Sequence, residues 1–178
     1  MTGPGGRAIT SALAGAATDQ WQAAARRAGV EVRELHEIAE FELVHRLYDE
    51  IWHTEPANVP MTVELMRALS HSGNYVAGAF EGAALVGASV GFLAGPPGTA
   101  LHSHVTGGIM GRGIGFALKL HQRAWALSRG LGQISWTYDP LVRKAWRHVV
   151  RDVLGGLIDG GARVTGFTTD GHYILERA

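Results

Sequence analysis

The alternation of apolar and polar residues along the chain predicts a mixed order of strands and helices. A period of two over Val30–Leu35 predicts a first strand, and apolar residues at helical spacing over His36–Trp52 predict an amphipathic helix. Prolines break that helix, and Thr62 is placed to cap a second, shorter helix over Thr62–Ser70. This part of the chain therefore predicts a strand followed by two helices that cover one face of a sheet.

The rest of the chain alternates between segments of strand length and segments of helix length. The predicted strands are Asn74–Phe80, Ala84–Leu93, Leu101–Val105, Gln133–Tyr138, Ala162–Phe167 and Tyr173–Glu176, and the predicted helices are Phe116–Arg129 and Leu141–Leu154. The turn Glu81-Gly82 joins the first two of these strands into a hairpin. The order predicts a mixed α/β domain with about seven strands in a central sheet flanked by helices.

The first 28 residues differ in composition from the rest. Met1–Gly6 is rich in glycine, which predicts disorder, and Ala8–Ala28 is rich in alanine, which predicts a helix. We expect residues 1–28 to form an N-terminal appendage, partly disordered or helical. We expect residues 29–178 to form the compact domain.

Composition narrows the classes of function. Sixteen basic residues balance sixteen acidic ones, so no net field attracts nucleic acid or a membrane surface. Because the chain has no cysteine, a disulfide, a thiolate metal site and a cysteine nucleophile are excluded. No apolar run reaches the roughly 18 residues of a membrane span, and the N-terminus lacks the apolar core of a signal peptide. We therefore expect a cytoplasmic protein that recognises its partners locally.

A glycine-rich turn separates the predicted strand Leu101–Val105 from the helix that follows it. Gly111, Gly113 and Gly115 remove side chains at alternate positions, and the first N–H groups of a helix point outward without a partner. A strand, a glycine turn and a helix in this order form an anion site, with Arg112 as a charged clamp for a phosphate or pyrophosphate.

Two common phosphate-binding motifs do not fit this turn. A Walker loop requires Lys and then Ser or Thr after its last glycine, where Phe116 and Ala117 stand. A dinucleotide fingerprint requires glycine or alanine three residues after its second glycine, and that position is Phe116. The turn therefore belongs to another class of phosphate site.

The turn resembles the acyl-coenzyme A loop of the GNAT superfamily of N-acetyltransferases, in which Gln or Arg is followed by two residues, Gly, one residue, and Gly or Ala. Gly113 and Gly115 occupy the two glycine positions, and Met110 occupies the Gln or Arg position. The order of predicted elements from Val30 onward is also similar to that of the superfamily. The resemblance implies that acetyl-coenzyme A binds at Ile109, Met110, Gly111, Arg112, Gly113, Ile114, Gly115 and Phe116.

Three further segments resemble one branch of predicted bacterial acetyltransferases. They are Leu101–His104, Ala117–Arg123 and Trp136–Leu141. The resemblance implies a GNAT fold with a mostly antiparallel mixed sheet. It also implies transfer of the acetyl group from acetyl-coenzyme A directly to a small-molecule or peptide amine. The arm of the cosubstrate would lie between the fourth and fifth strands.

The resemblance also directs attention to groups that could move protons. Strand alternation places His102 and His104 on one face, where an imidazole can accept the proton of the attacking amine, although both also fit as core residues. Tyr138 is the candidate donor to the coenzyme A thiolate, or a packing residue. The candidate acceptor contacts, which also fit a simple loop, are Trp52, His53, Glu55 and Asn58.

The sequence departs from the GNAT pattern in four places. Met110 replaces Gln or Arg, the link from Val105 to Gly111 is short, Leu101–Val105 has no glutamate, and Leu141–Leu154 has no tyrosine. These departures favour a second hypothesis, a non-catalytic GNAT-fold domain that binds acyl-coenzyme A or serves in interactions. The resemblance leaves a homodimer open.

A third hypothesis is a metalloenzyme built on His102 and His104. Its third ligand would come from a distant residue such as His53, His71 or Asp139. We expect no metal, because nothing in the spacing favours such a third ligand.

Overall fold

The computed structural model describes the backbone of residues 4–52, 60–137, 162–167 and 173–177, with side chains in residues 13–52 and 60–137. In chain order its elements are α1 (Pro4–Ala28), β1 (Glu31–Glu34), α2 (Ile38–Trp52), α3 (Val63–His71), β2 (Tyr75–Glu81), β3 (Ala84–Ala94), β4 (Ala100–Gly108), α4 (Ile114–Ser128), β5 (Gln133–Trp136), β6 (Ala162–Phe167) and β7 (Tyr173–Arg177). The predicted helix Leu141–Leu154 lies outside the described residues.

Five strands form one mixed sheet in the order β1-β2-β3-β4-β5. Neighbours from β1 to β4 are antiparallel, and β5 joins β4 in parallel. β6 and β7 form a separate antiparallel pair, with β7 close to β5. All seven predicted strands are therefore present, but the hydrogen-bonded ladders of the described residues divide them into five and two.

Helices cover both faces of the five-stranded sheet. On one face α2 and α3 bury Phe41, Val44 and Met66 against strand residues such as Val76 and Val90. On the other face α4 packs with α1. The side chains of β2 alternate between these two layers, so both faces of this apolar strand are buried.

Helix α1 joins the second layer through small side chains. Ala24, Ala25 and Ala28 are buried in one cluster with Ile114 and Leu118 of α4, so the two helices approach closely. The helix begins at Pro4, inside the segment for which glycine content predicts disorder. The division of the chain after residue 28 stays a prediction.

Local signals in the sequence account for several element ends. The Thr62 hydroxyl oxygen accepts a hydrogen bond from Leu65 N at 3.2 Å, which is the predicted N-cap of α3. β4 runs to Gly108 rather than ending at Val105, because Gly107 and Gly108 continue the ladder to β3. Glycine is rare in strands, so periodicity did not predict this extension. No described helix is long and apolar enough to cross a membrane.

His121 makes the stability of the α1–α4 layer depend on pH. Its Nδ1 atom lies 2.9 Å from the Tyr75 hydroxyl oxygen, and its ring packs edge-on against Trp21. Burial lowers the pKa of His121 to about 4. In an unfolded chain the pKa of the imidazole is about 6.5. As the pH falls from this value to about 4, the unfolded state therefore binds a proton that the native state does not bind.

We therefore expect the free energy of unfolding to decrease as the pH is lowered. His121 should account for a loss of about 3 kcal/mol between about pH 7 and pH 4. Urea unfolding of the wild type and of His121→Phe at several pH values measures this contribution, since phenylalanine keeps a ring against Trp21 but binds no proton. The same pH dependence in both proteins would contradict the role of His121.

Candidate functional site

The glycine-rich turn joins β4 to the first residue of α4. Ile109 N donates to Val86 O at 3.0 Å, and the first hydrogen bond of the helix runs from Ala117 N to Gly113 O, also 3.0 Å. Gly111 and Gly113 have φ angles of 82° and 76°, a left-handed conformation that suits glycine. The turn therefore spans residues 109–113, and Gly115 belongs to the first turn of the helix.

The N-terminus of α4 has no side-chain cap. Gly113 occupies the N-cap position, and no side chain accepts a hydrogen bond from the first turn of the helix. The N–H groups of Ile114, Gly115 and Phe116 therefore lack an intrahelical acceptor. A Cβ atom built on Gly111, Gly113 or Gly115 would meet nothing within 4 Å. The protein leaves this space open, and the uncapped amides suit an anion.

The other predicted cosubstrate contacts differ in exposure. Met110 is 87% exposed and Ile109 is 49% exposed, so both can meet a ligand. Ile114 is fully buried against the sheet, and Phe116 packs on the α1–α4 cluster. The backbone N–H groups of Ile114 and Phe116 can therefore bind a ligand, while their side chains pack in the core.

Arg112 is held by a carboxylate on a neighbouring hairpin. Its two terminal nitrogens each lie 2.8 Å from an oxygen of Glu81, the last residue of β2 before the turn to β3. Arg112 keeps the pKa of Glu81 below its usual range. A phosphate at the turn would compete with Glu81 for this guanidinium.

β4 and β5 part beside the turn. Their parallel pairing covers four residues of each strand, from Ala100 opposite Gln133 to Ser103 opposite Trp136. β4 then continues through residues 104–108, and no strand in the described part of the chain pairs with this side of it. The result is a fork that opens toward the N-terminus of α4. Tyr138 lies just beyond β5, outside the described residues.

His102 and His104 lie on the α2 face of β4. Both rings contact Phe92 of β3, with centroid separations of 4.9 and 5.9 Å, so they share one face, as alternation predicts. His102 Nδ1 is 3.2 Å from Ser135 Oγ, and His104 Nε2 is 3.4 Å from Pro60 O. The two imidazoles therefore lie at the fork and are held by different neighbours.

A β-bulge lies at His104. Val90 of β3 pairs with Val105, whereas the next residue, Gly91, pairs with Ser103, so His104 is the extra residue. Val105 packs with the α2 cluster on the same face. Bulges are enriched beside active sites because they redirect side chains and interrupt pairing.

Trp52 is the one predicted acceptor contact among the described residues. Its ring lies against Gly107, where a Cβ atom would be 2.8 Å from Trp52 Cη2, and it packs on Tyr48 with centroids 5.0 Å apart. Trp52 therefore covers the far end of β4 on the histidine face. His53, Glu55 and Asn58 lie outside the described residues.

A buried polar network under the other face of β4 was not predicted. Lys119 Nζ donates to Ser103 Oγ, and Gln122 Nε2 donates to Ser89 Oγ at 3.4 Å. Ser89 Oγ in turn lies 2.8 Å from Thr106 Oγ1. Burial lowers the pKa of Lys119 to about 7. The one available signal was composition, since this chain has only two lysines among its 16 basic residues.

Within residues 13–52 and 60–137, no three His, Asp or Glu side chains are grouped so that they could hold a metal ion. The described side chains therefore supply no complete donor set for the metalloenzyme hypothesis.

The fold has clear neighbours among solved structures, although no protein-family model and no curated protein sequence matches the chain. An aminoglycoside acetyltransferase from an uncultured soil metagenomic sample matches with a TM-score of 0.59 at 16% identity, over 70% of this chain and 87% of that one. The aminoglycoside 6′-N-acetyltransferase from Enterococcus faecium matches with a TM-score of 0.57 at 14% identity, over 82% of this chain and 94% of that one. The chain has the GNAT acetyltransferase fold.

A third GNAT-fold neighbour was solved with a ligand that includes coenzyme A. AAC(6′)-Iy, in complex with the bisubstrate analogue CoA-S-monomethyl-acetylneamine, matches with a TM-score of 0.56 at 13% identity, over 71% of this chain and 89% of that one. These likenesses confirm the fold that the order of elements predicts.

The start of α4 depends on close packing over Gly87. A Cβ atom at Gly87 would lie 2.5 Å from Ile114 Cγ2 and 3.1 Å from Leu118 Cδ1. We expect Gly87→Ala to lower the free energy of unfolding by about 1–3 kcal/mol, because overpacking pushes the helix away from the sheet. Urea unfolding measures the loss. Gly132→Ala is the control, since nothing lies within 4 Å of its Cβ position, and an equal effect of both changes would contradict this packing role.

Proposed function

We propose that the protein is an acetyl-coenzyme A dependent N-acetyltransferase that acetylates a small-molecule or peptide amine. One observation carries the proposal: the uncapped N-terminus of α4 opens beside the part of β4 that extends beyond its pairing with β5. An anion site and an open strand edge next to each other suit a ligand that has a pyrophosphate and an extended amide-containing arm. The GNAT fold supports the same reading, since its neighbours include N-acetyltransferases.

The residues present fit this cosubstrate. The pyrophosphate would accept hydrogen bonds from the N–H groups of Ile114, Gly115 and Phe116, over glycines that leave room for it. Arg112 would exchange Glu81 for a phosphate oxygen. The arm would lie along residues 104–108, where backbone N–H groups can polarise the thioester carbonyl.

His102 and His104 are the proposed bases for the acceptor amine. An imidazole that is neutral near physiological pH can take the proton that the attacking nitrogen loses. Phe92 lies beside both imidazole rings, and Trp52 covers Gly107 farther along the same face. Two of the neighbours were solved with sisomicin or an acetylneamine analogue, so amines of small-molecule size are the first acceptors to test.

A non-catalytic GNAT-fold domain is the second candidate, and the Arg112–Glu81 pair favours it. A guanidinium that already has a bidentate carboxylate partner binds a phosphate less strongly, because it must first break that pair. In that case the turn would bind acyl-coenzyme A weakly or serve in an interaction. The cytoplasm stays the expected location, and a homodimer stays open.

Loss of the open glycine space should abolish binding of the cosubstrate. We expect Gly113→Val to eliminate acetyl-coenzyme A binding in isothermal titration calorimetry, because its side chain would block the approach of the pyrophosphate to the turn. The left-handed backbone adds a cost of about 1–2 kcal/mol to folding. Gly130→Val is the matched control, since Gly130 is also left-handed and open but lies at the other end of α4. Undiminished affinity in Gly113→Val would overturn the assignment.

Loss of either histidine should impair turnover more than binding. For His102→Ala and His104→Ala we expect kcat to fall by about 10²-fold or more with an amine acceptor, while acetyl-coenzyme A affinity changes little. Release of the coenzyme A thiol, measured over a panel of amines that includes sisomicin, gives the rates. Wild-type rates in both variants would make the two residues structural. Binding without turnover of any amine by the wild type would favour the non-catalytic candidate.

A further inference from the structure

Lys119 is half-buried, and its amino group lies among buried polar side chains without a carboxylate partner among the described residues. Its Nζ atom donates to Ser103 Oγ and lies 3.5 Å from Gln122 Oε1. Both partners are neutral, and their side chains are almost fully buried. The ion pairs of the described side chains use Glu34, Glu40 and Glu81. Partial desolvation of an ammonium without a counter-ion disfavours its charged form.

The amino group lies where the two parallel strands part. Ser103, opposite Trp136, is the last residue of β4 that pairs with β5. Its side chain faces α4, and Lys119 approaches it from the second turn of that helix, one turn after Gly115. A ligand that enters the fork from the N-terminus of α4 and follows β4 would bring its far end to this position.

The network beneath β4 fixes the lysine in this position. Gln122 Nε2 donates to Ser89 Oγ, and Ser89 contacts Thr106 on the part of β4 that extends beyond its pairing with β5. A Cβ atom at Gly91 would lie 3.1 Å from Gln122 Nε2, so glycine there makes room for the amide. The amino group therefore has an organised set of neutral hydrogen-bonding partners.

The choice of lysine is itself unusual in this chain. Of the 16 basic residues only two are lysines, at positions 119 and 144, and the other 14 are arginines. An arginine cannot release its proton in a protein, whereas a buried lysine can. A lysine in this network can therefore release a proton, which the arginines of the chain cannot.

We propose that the amino group of Lys119 protonates the coenzyme A thiolate that leaves when the acyl group is transferred. This inference rests on the proposed acetyltransferase function. The acceptor nitrogen bonds to the carbonyl carbon and gives its proton to His102 or His104. The carbon–sulfur bond breaks, and its electron pair stays on sulfur. The sulfur then takes a proton from the Lys119 ammonium, and the neutral amine regains a proton from solvent. The products are the amide and the thiol.

The proton balance supports this direction of transfer. Burial lowers the pKa of Lys119 to about 7, below the roughly 8.5 of an ordinary thiol, so its ammonium can protonate a thiolate. The titratable neighbours point elsewhere. His121 contacts Trp21 and Tyr75.

Three further groups on α4 and β4 also lie away from Ser103. Arg123 of α4 donates to Gln20 of α1 at 2.8 Å. His102 and His104 of β4 lie on the opposite face of the sheet, against Phe92.

The decisive measurement is the pKa of the bound coenzyme A thiol, followed by the ultraviolet absorbance of the thiolate at saturating coenzyme A. In the wild type and in the control Lys144→Arg we expect this pKa to lie about one unit or more below that in Lys119→Met, because thiolate and ammonium stabilise each other and Lys119 keeps its proton while the thiol titrates. Equal values in Lys119→Met and the wild type would overturn the role of Lys119. Calorimetry with coenzyme A separates the two proposals, since absence of binding to the wild type would overturn the function itself.

The wild-type protein gives a second test that does not require Lys119→Met to fold. Lysine-labelled protein has only two side-chain signals to follow by NMR, and Lys144→Arg assigns them. With coenzyme A bound, the pKa of Lys119 should be higher than with desulfo-coenzyme A, which lacks the sulfur. Identical titration curves with the two ligands would overturn the proposal.

Discussion

The packing of Ile114 over Gly87 is the contact on which the rest of the site depends. Ile114 is the first residue of α4 and is fully buried, and the absence of a side chain at Gly87 and Gly108 lets it approach the sheet. This contact fixes where the helix begins and therefore where its uncapped amides point. The glycine turn can remain open and without a cap because apolar packing against the sheet holds the start of the helix in place.

The fork between β4 and β5 gives access to two chemically different faces of one sheet. On the α2 face His102 and His104 surround Phe92, and on the α4 face Lys119 bonds to Ser103. In the proposed reaction, the proton of the acceptor amine is taken on the first face and the thiolate receives one on the second. A strand edge that is open to both faces separates these steps in space without a second domain.

Much of the fold could be predicted from the sequence because it depends on local patterns. The order of strands and helices follows from periodicity, and the N-cap of α3 follows from Thr62. The partners of Arg112 and Lys119 could not be predicted, because each is a residue brought close by the tertiary fold, Glu81 and Ser103 respectively. The same holds for the division of the seven strands into two sheets, since strand pairing is not encoded in the pattern of any one strand.

The bulge at His104 makes the length of β4 as important as its composition. By adding one residue between two paired positions, it places His104 and Val105 on the same side and returns Thr106 to the α4 side. An insertion or deletion of one residue before Thr106 would move each later side chain of β4 to the opposite face of the sheet. Thr106 would then face the histidine side, and the hydroxyl of Ser89 would lose its partner. The number of residues in β4 therefore decides which face each later side chain occupies, whatever the identity of those side chains.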